Sequence, residues 1–289
     1  MAGFSEYRLV GRSPAPAGFR LSWRAPKLKI VVTVKLVPDT NADKRIDPAT
    51  KRLVRSGVET VLNAFDEYAI EAGLQLKEKL NDGSTVTVVA MTPESGKEIV
   101  RKALAMGADN AVMLSDPGLA GSDVWGTAYA LAAAIRKRGF DIVLTSTQST
   151  DAGTGEVPGA LAEYLGVPGL TNAKKIEFAD GRIRATRETD TGYQVVTAPL
   201  PLLVSITKSG AEPRYPSLKG IMGAKKKSIE ILHLADLELA KPVGTDGAKV
   251  ELTEITSPPV RGKGKVVTAA DAVDGAKQIV DFLKERKLL

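Results

Sequence analysis

The chain has no cysteine among its 289 residues, which excludes disulfides, thiolate metal sites and a cysteine nucleophile. Histidine is reduced to His233 alone. A His-rich metal site is therefore excluded, and serine–histidine–aspartate catalysis would have to rest on that one residue. His233 lies between Leu232 and Leu234, a setting that favours a satisfied structural histidine over a functional one. No run of about 18 apolar residues exists, so no transmembrane helix is expected. Aromatic residues make up only 5%, yet the apolar content of 43% is ample for a core. A chain of this length holds one large domain or two unequal ones.

Charge is unevenly placed. The formal net charge is +6. Residues 1–27 carry Arg8, Arg12, Arg20, Arg24 and Lys27 against Glu6, which leaves only +2 for the rest of the chain. The basic balance is thus mostly an N-terminal property and argues poorly for nucleic-acid binding. Segment 1–27 is acid-poor and holds Ser13, Pro14 and Pro16. It reads as a disordered extension or an over-extended start, with a mitochondrial-type transit peptide as the other reading. It lacks the apolar stretch of a secretory signal.

From Leu28 the pattern becomes regular. KIVVTVKLV (29–37) is a β-branched run closed by Pro38-Asp39, as in a buried parallel strand. A helix is expected over 66–80, with Asn63 or Asp66 as N-cap and Asn81-Asp82-Gly83 as stop. Strands at 84–91, 110–115 and 141–147 alternate with helices that begin near Pro93, at Ser122 or Asp123, and at Gly155. Such alternation predicts an α/β fold: a mostly parallel sheet with helices on both faces, over residues 28–238. After residue 170 the rhythm changes. Asp180-Gly181 between two alternating runs predicts a hairpin, and 192–207 adds strands broken by Pro199 and Pro201. Residues 239–289 read as a polar, Pro/Gly-rich arm that ends in an amphipathic helix carrying Val273, Ile279, Phe282 and Leu283.

In an open parallel sheet, ligands sit outside the carboxyl ends of the strands. Three segments arrive there: Thr33 to Asp39, then Asn63-Ala64-Phe65-Asp66, then TSTQSTDAGTGE at 145–156. The last offers the hydroxyls of Ser146, Thr147, Ser149, Thr150 and Thr154, and the flexible backbone of Gly153 and Gly155 ahead of a helix N-terminus. Backbone N–H groups there suit a phosphate, and the loop is longer than an ordinary strand-to-helix connection. The plainer reading is a polar loop filled by turn-formers. Neither a P-loop nor a dinucleotide glycine fingerprint is present. Met91 lines an adenine pocket or fills the core. Asp66 and Glu67 suit a helix cap better than acid–base work. No residue set for bond-making is evident.

One stretch resists the pattern. AEPRYPSLKGIMGAKKKS (211–228) carries apolar Leu218, Ile221 and Met222 within a frame of Pro213, Pro216 and Gly220, and ends in Lys225, Lys226 and Lys227. It fits neither a strand nor a helix, and on its own the lysine run can be just a solvated face.

Several segments together resemble one family. VTVKLVPDT, NAFDEYAIEAGLQLKE, RKALAMGAD, the loop at 145–156 and EPRYPSLKGIMGAKKK are similar, in this order, to the beta subunit of electron transfer flavoprotein. The similarity runs from about Lys29 to Leu237, and residues 1–27 have no counterpart in it. The resemblance implies an adenine nucleotide alpha hydrolase-like fold. It also implies a heterodimer whose alpha subunit holds most of the FAD, and a structural AMP in the beta subunit. On this chain AMP contacts then fall at Thr33, at Asn63, Ala64, Phe65 and Asp66, at Met91, and at Ser146, Thr147, Gln148, Ser149, Thr150, Asp151, Gly153, Thr154 and Gly155. Phe65 is also a candidate to approach the flavin. Many family members carry Asp and Asn where this chain has Gly and Thr at 153–155.

The resemblance makes 211–228 a recognition loop that docks dehydrogenases through Leu218, with Tyr215, Ile221, Met222, Lys225, Lys226 and Lys227 around it. Lys219 stands where proline is common. The terminal helix would pack on the alpha subunit. The implied role is an electron carrier without catalysis of its own. It would take electrons from acyl-CoA dehydrogenases of fatty acid oxidation, or related flavin dehydrogenases, and pass them toward the electron transfer flavoprotein–quinone oxidoreductase. It would be cytoplasmic in a bacterium, or in the mitochondrial matrix if residues 1–27 are a transit peptide. Within the family, a bifurcating complex with a second FAD in place of AMP is the alternative. Outside it stand an adenine-nucleotide sensor resembling universal stress proteins, which would not need 211–228 or the arm, and an ATP-dependent ligase or sulfurtransferase. The last wants a pyrophosphate loop where this chain reads KLVPDT.

Overall fold

In the computed structural model, residues 27–42, 44–55, 57–256, 264 and 266–289 are described. The readings placed on residues 1–26 lie outside the described residues. So does stretch 257–263 of the arm. The first strand, β1 (Lys29–Val34), stops at Lys35, and β2 (Leu36–Pro38) continues in a different sheet. After the short β3 (Ile46–Asp47), β4 (Arg52–Leu53) and β5 (Thr60–Leu62) come α1 (Ala64–Leu80), β6 (Thr85–Met91), α2 (Lys97–Met106) and β7 (Asn110–Leu114). Then follow α3 (Val124–Arg138), β8 (Ile142–Ser146) and α4 (Val157–Leu165). The hairpin strands β9 (Gly169–Ala179), β10 (Arg182–Thr189) and β11 (Gly192–Pro199) precede β12 (Leu202–Ile206), α5 (Leu218–Lys226) and β13 (Ile229–Leu232). The short α6 (Gly244–Gly247) and α7 (Ala272–Glu285) end the chain.

Nine strands form one sheet in the order β11-β10-β9-β12-β8-β1-β6-β7-β13. Its pairings are parallel from β9 through β13. Only the hairpin strands β9, β10 and β11 pair antiparallel. Successive side chains of a strand point to opposite faces, and the central strands bury both. Ile30, Val32 and Val34 join a cluster with Ile70 and Leu74 of α1 and Val100 and Leu104 of α2. Val31 joins Leu131 and Ile135 of α3 and Leu161 of α4 on the other face. Each such side chain contributes on the order of 2 kcal/mol on leaving water, which is why the β-branched runs stay in register.

Two expectations need correction. Residues 29–37 do not form one strand. The Lys35 N–H is taken by the Asp66 carboxylate at 2.6 Å, and the Lys35 carbonyl accepts from Asn63 N at 2.9 Å. These bonds draw Lys35 out of the ladder, and β2 pairs with β5 instead. Nor is the 211–228 stretch free of helix, since α5 spans most of its apolar part. Ser217 caps α5 by accepting from Gly220 N at 3.0 Å. Two internal glycines lower its propensity, but packing offsets this. A Cβ on Gly220 would stand 2.4 Å from the Ala105 carbonyl oxygen, so glycine is what lets α5 close on α2. Arg101 completes the far end by donating to the Ala224 and Lys227 carbonyls at 2.7 and 3.2 Å.

The chain divides into two units, the second being Leu252–Leu289. Within it α7 is capped by Asp271, which accepts from Asp274 N, and it exposes Val273, Ile279 and Phe282. In the first unit, residues 240–250 are tied to α3. Ala240 N donates to Tyr129 Oη, and Lys249 N and Val250 N donate to Asp123. Asp123, rather than Ser122, is the α3 cap, accepting from Gly126 N at 2.8 Å. Among the described residues no helix is long and apolar enough to cross a membrane.

Candidate nucleotide site and docking surface

The strand order places a crevice. β1 has β6 on one side and β8 on the other. The chain leaves β1 for α1 on one face and leaves β8 for α4 on the opposite face. Between the tips of β1 and β8 the connections therefore diverge, the point at which open α/β sheets bind ligands. Thr33 sits at the tip of β1, Asn63 to Asp66 at the start of α1, and Ser146 at the tip of β8, so the structure brings the three predicted segments together.

Asp66 is the hub of this corner. It is 3% exposed and does not cap α1. Its carboxyl receives Lys35 N at 2.6 Å, Asn63 Nδ2 at 2.9 Å and the Ser146 hydroxyl at 2.5 Å. Asn63 is equally buried, and its side chain also fails to cap the helix. Instead it holds the loop after β8, donating to the Gln148 carbonyl at 3.1 Å and accepting from Thr150 N at 3.2 Å. One buried Asn–Asp pair thus holds the first turn of the loop, at Ser146, Gln148 and Thr150.

Burial raises the Asp66 carboxyl to about 7, against the lowering effect of the bonds from Ser146, Lys35 and Asn63. Because this lies above the ordinary 3.8, the folded protein holds the proton more tightly than the unfolded chain does. The stability so gained is complete below about pH 4 and is lost as pH rises through about 7. Urea midpoints of the wild type should therefore decline as pH rises from about 4 to about 7 and level off above that. Asp66→Asn should flatten the slope, and an equal slope in that variant would remove Asp66 as its source.

A second cluster lies at the mouth. The Asp151 side chain is 1% exposed and pairs with Lys35 Nζ at 2.7 Å and Arg55 Nη2 at 2.6 Å. Burial alone would raise this carboxyl, but the hydrogen bonds from Lys35 and Arg55 outweigh it and hold Asp151 far below the usual carboxylate range. Lys35 also donates to the Ser149 hydroxyl at 3.2 Å. Thr147 and Thr150 are half-buried, while Gln148, Gly153, Thr154 and Gly155 are exposed. Gly153 and Gly155 adopt φ of +65° and +69°, a left-handed backbone that accounts for glycine at both. The buried Thr145 hydroxyl has no partner among the described residues. A buried hydroxyl without a partner is costly, and this one belongs to the tip of β8. Lys35, Arg55 and Thr145 were not singled out from the sequence. For Lys35 a signal existed, since a lone cation interrupts an otherwise apolar strand run; for Arg55 there was none.

The remaining predicted residues are placed as follows. Ala64 is exposed at the first position of α1, and Phe65 is half-buried beside it. Met91 ends β6, half-buried against the α3–α4 cluster. His233 is tied by Nδ1 to the Ser115 carbonyl at 2.7 Å, and its backbone N–H donates to Asp236. A separate groove of about 590 Å³ runs between α1 and the hairpin, past Gln75, Lys79, Lys174, Ile176 and Tyr193, and includes none of the crevice residues. Among the described residues no group of His, Cys, Asp or Glu could hold a metal ion.

On the surface, Tyr215, Leu218 and Met222 are 92%, 81% and 67% exposed, with Ile221, Lys225 and Lys226 exposed beside them. Lys227 differs. It is half-buried and donates to the Ala108 carbonyl, so it holds α5 down. Before α5, Arg214 binds Glu71 and Glu78 of α1 through four contacts of 2.5–3.0 Å. The apolar patch is thus exposed on a firmly anchored helix and on the segment just before it.

A mostly parallel sheet whose strand tips part over a hydroxyl-rich loop defines an open α/β protein, an architecture that ordinarily takes its ligands beyond the carboxyl ends of the strands. The chain belongs to the electron transfer flavoprotein family, whose domain profile matches residues 50–237, and falls with its beta subunits. It is 41% identical over 265 residues to the electron transfer flavoprotein subunit beta of Mycobacterium bovis, covering 90% of this chain and 99% of that protein. The subunit beta of Megasphaera elsdenii is 38% identical over 267 residues, 90% of this chain and 97% of that one. The caffeyl-CoA reductase–Etf complex subunit CarD of Acetobacterium woodii is 36% identical over 264 residues, 91% and 100%.

Proposed function

We propose that this chain is the beta subunit of a heterodimeric electron transfer flavoprotein, an electron carrier with no catalysis of its own. Its alpha partner holds most of the FAD, which supplies the redox chemistry. This chain contributes a nucleotide site at the strand tips, a face for the alpha subunit that includes the terminal helix, and a docking surface for flavin dehydrogenases. Acyl-CoA dehydrogenases and their relatives deliver the electrons, and a membrane quinone oxidoreductase receives them. The observation that carries the reading is the exposed apolar patch of Leu218 and Met222 on an anchored helix, with Tyr215 just before it and Lys219, Lys225 and Lys226 around it. One apolar anchor with a cationic rim suits brief docking onto an acidic partner, because the charges speed encounter more than they tighten the complex.

In this reading the crevice takes AMP, with its phosphate toward the loop after β8. Its loop offers the half-buried hydroxyls of Thr147, Ser149 and Thr150. Phe65, at the start of α1, is the candidate to approach the flavin of the alpha subunit. The similarity to a subunit of the caffeyl-CoA reductase–Etf complex favours a second reading, in which this site takes FAD and the heterodimer bifurcates electrons. Both are decided by co-expressing the chain with its alpha partner, denaturing the purified complex and measuring the nucleotides released. One FAD and one AMP per heterodimer is the expected result, whereas two FAD establishes the second reading. No nucleotide and no stable alpha partner would overturn both.

A further inference from the structure

We propose that Lys35 and Arg55, held in place by Asp151, are the phosphate-binding cations of the strand-tip site and select a nucleotide ending in a phosphomonoester over its nucleoside. The inference rests on the nucleotide reading above and adds the residues that set its specificity. Three charged side chains from three segments meet at one point: Lys35 beyond β1, Arg55 beyond β4 and Asp151 in the loop after β8. Closing the loop does not require them, since Asn63 already binds both Gln148 and Thr150. A buried ion pair is in itself a weak stabiliser, so stability alone accounts poorly for a carboxylate 1% exposed between two cations.

Donor arithmetic points outward. An ammonium has three N–H donors and a guanidinium five. Lys35 spends its donors on Asp151 and Ser149, and Arg55 makes its bond to Asp151 through Nη2. Both side chains remain well exposed, 39% for Lys35 and 45% for Arg55, so donors are left open to a ligand while the carboxylate fixes their positions. The trio carries a surplus of one positive charge. A phosphomonoester bears nearly two negative charges at neutral pH, a phosphate within a diester linkage bears one, and a nucleoside bears none. A planar guanidinium fork beside an ammonium matches the first of these.

The test uses the complex with its alpha partner, stripped of nucleotide and titrated with AMP and with adenosine. The wild type should bind AMP well above tenfold more tightly than adenosine. Arg55→Gln and Lys35→Gln should each weaken AMP by roughly tenfold, leave adenosine unchanged and reduce the salt dependence of AMP binding. Arg55→Lys should recover part of the loss. Arg55 is on the surface, so the Arg55 variants carry the test even if Lys35→Gln disturbs the break after β1. An unchanged AMP-to-adenosine ratio in the folded Arg55→Gln variant would overturn the inference, leaving the loop's backbone amides as the phosphate ligands. Equal wild-type affinity for AMP and adenosine would overturn it too, with the nucleotide reading intact. A wild type that binds neither would fail the nucleotide reading itself.

Discussion

Truncating Leu218 to alanine is expected to slow dehydrogenase-coupled flavin reduction by about tenfold or more, with flavin and nucleotide content unchanged. Leu218 opens α5 and is 81% exposed, so its side chain adds almost nothing to the core. Ile221 and Met222 lie three and four residues on and share its face of the helix. A patch of this kind concentrates its binding energy in one central anchor. Flanking lysines act on encounter instead. Lys219→Glu should therefore lower the association rate at low salt and lose its effect as salt is raised, a pattern distinct from that of Leu218→Ala. The measurement is stopped-flow flavin reduction against concentration, with an acyl-CoA dehydrogenase as donor. A Leu218→Ala rate equal to wild type would remove α5 as the docking element.

Arg214→Ala is expected to cost about 2 kcal/mol of stability and to loosen the same patch. Removing one partner of a buried pair costs ~3–5 kcal/mol, and the smaller figure allows for an arginine side chain that is 35% exposed. Glu71 is nearly buried, and Arg214 Nε and Nη2 hold both its oxygens at 2.8 and 3.0 Å. Burial would raise the Glu71 carboxyl, but Arg214 keeps it below the ordinary 4.5. In the wild type this pair therefore gives stability that is present above about pH 4.5 and is lost as pH falls through the lower folded value. In Arg214→Ala burial is left without its main offset, so the Glu71 contribution should change sign and the variant should gain relative stability on acidification. Urea titrations at pH 4 to 7 on the order of one unit apart distinguish the two slopes. Parallel slopes would mean that Arg214 contributes only contact area. Because Arg214 precedes α5 by four residues, a coupling rate that falls along with stability would tie the anchor to the dock.

How far the sequence could be read depended on the range of the forces involved. The central strands were legible because five to seven β-branched or apolar residues stand between capped helices, as with TVTVVAM and DIVLTS. Strands β3, β4 and β5 escaped because two or three residues hold no period, and their pairing is set by chain that returns from elsewhere. The α5 helix escaped because local propensity argues against it, while its packing on Ala105 is a contact across more than one hundred residues of sequence. At the site, the hydroxyl-rich loop announced itself by composition. Asp66 did not, since a carboxylate near a helix start is ordinarily a cap, and only the fold reveals it facing Ser146. The Lys35–Asp151–Arg55 cluster joins residues 96 to 116 positions apart, beyond any local pattern.

Ser146 has a single proton and two acceptors within reach: the Asp66 carboxyl at 2.5 Å and the Gln148 carbonyl at 3.1 Å. It cannot donate to both. When Asp66 is ionised, the proton turns toward it, and the Gln148 carbonyl is left with Asn63 as its side-chain donor. When Asp66 takes up a proton, it becomes the donor and Ser146 is free to turn outward to the loop. The rotation of one O–H bond would thus carry the charge of a residue sealed in the core to the backbone of the neighbouring loop.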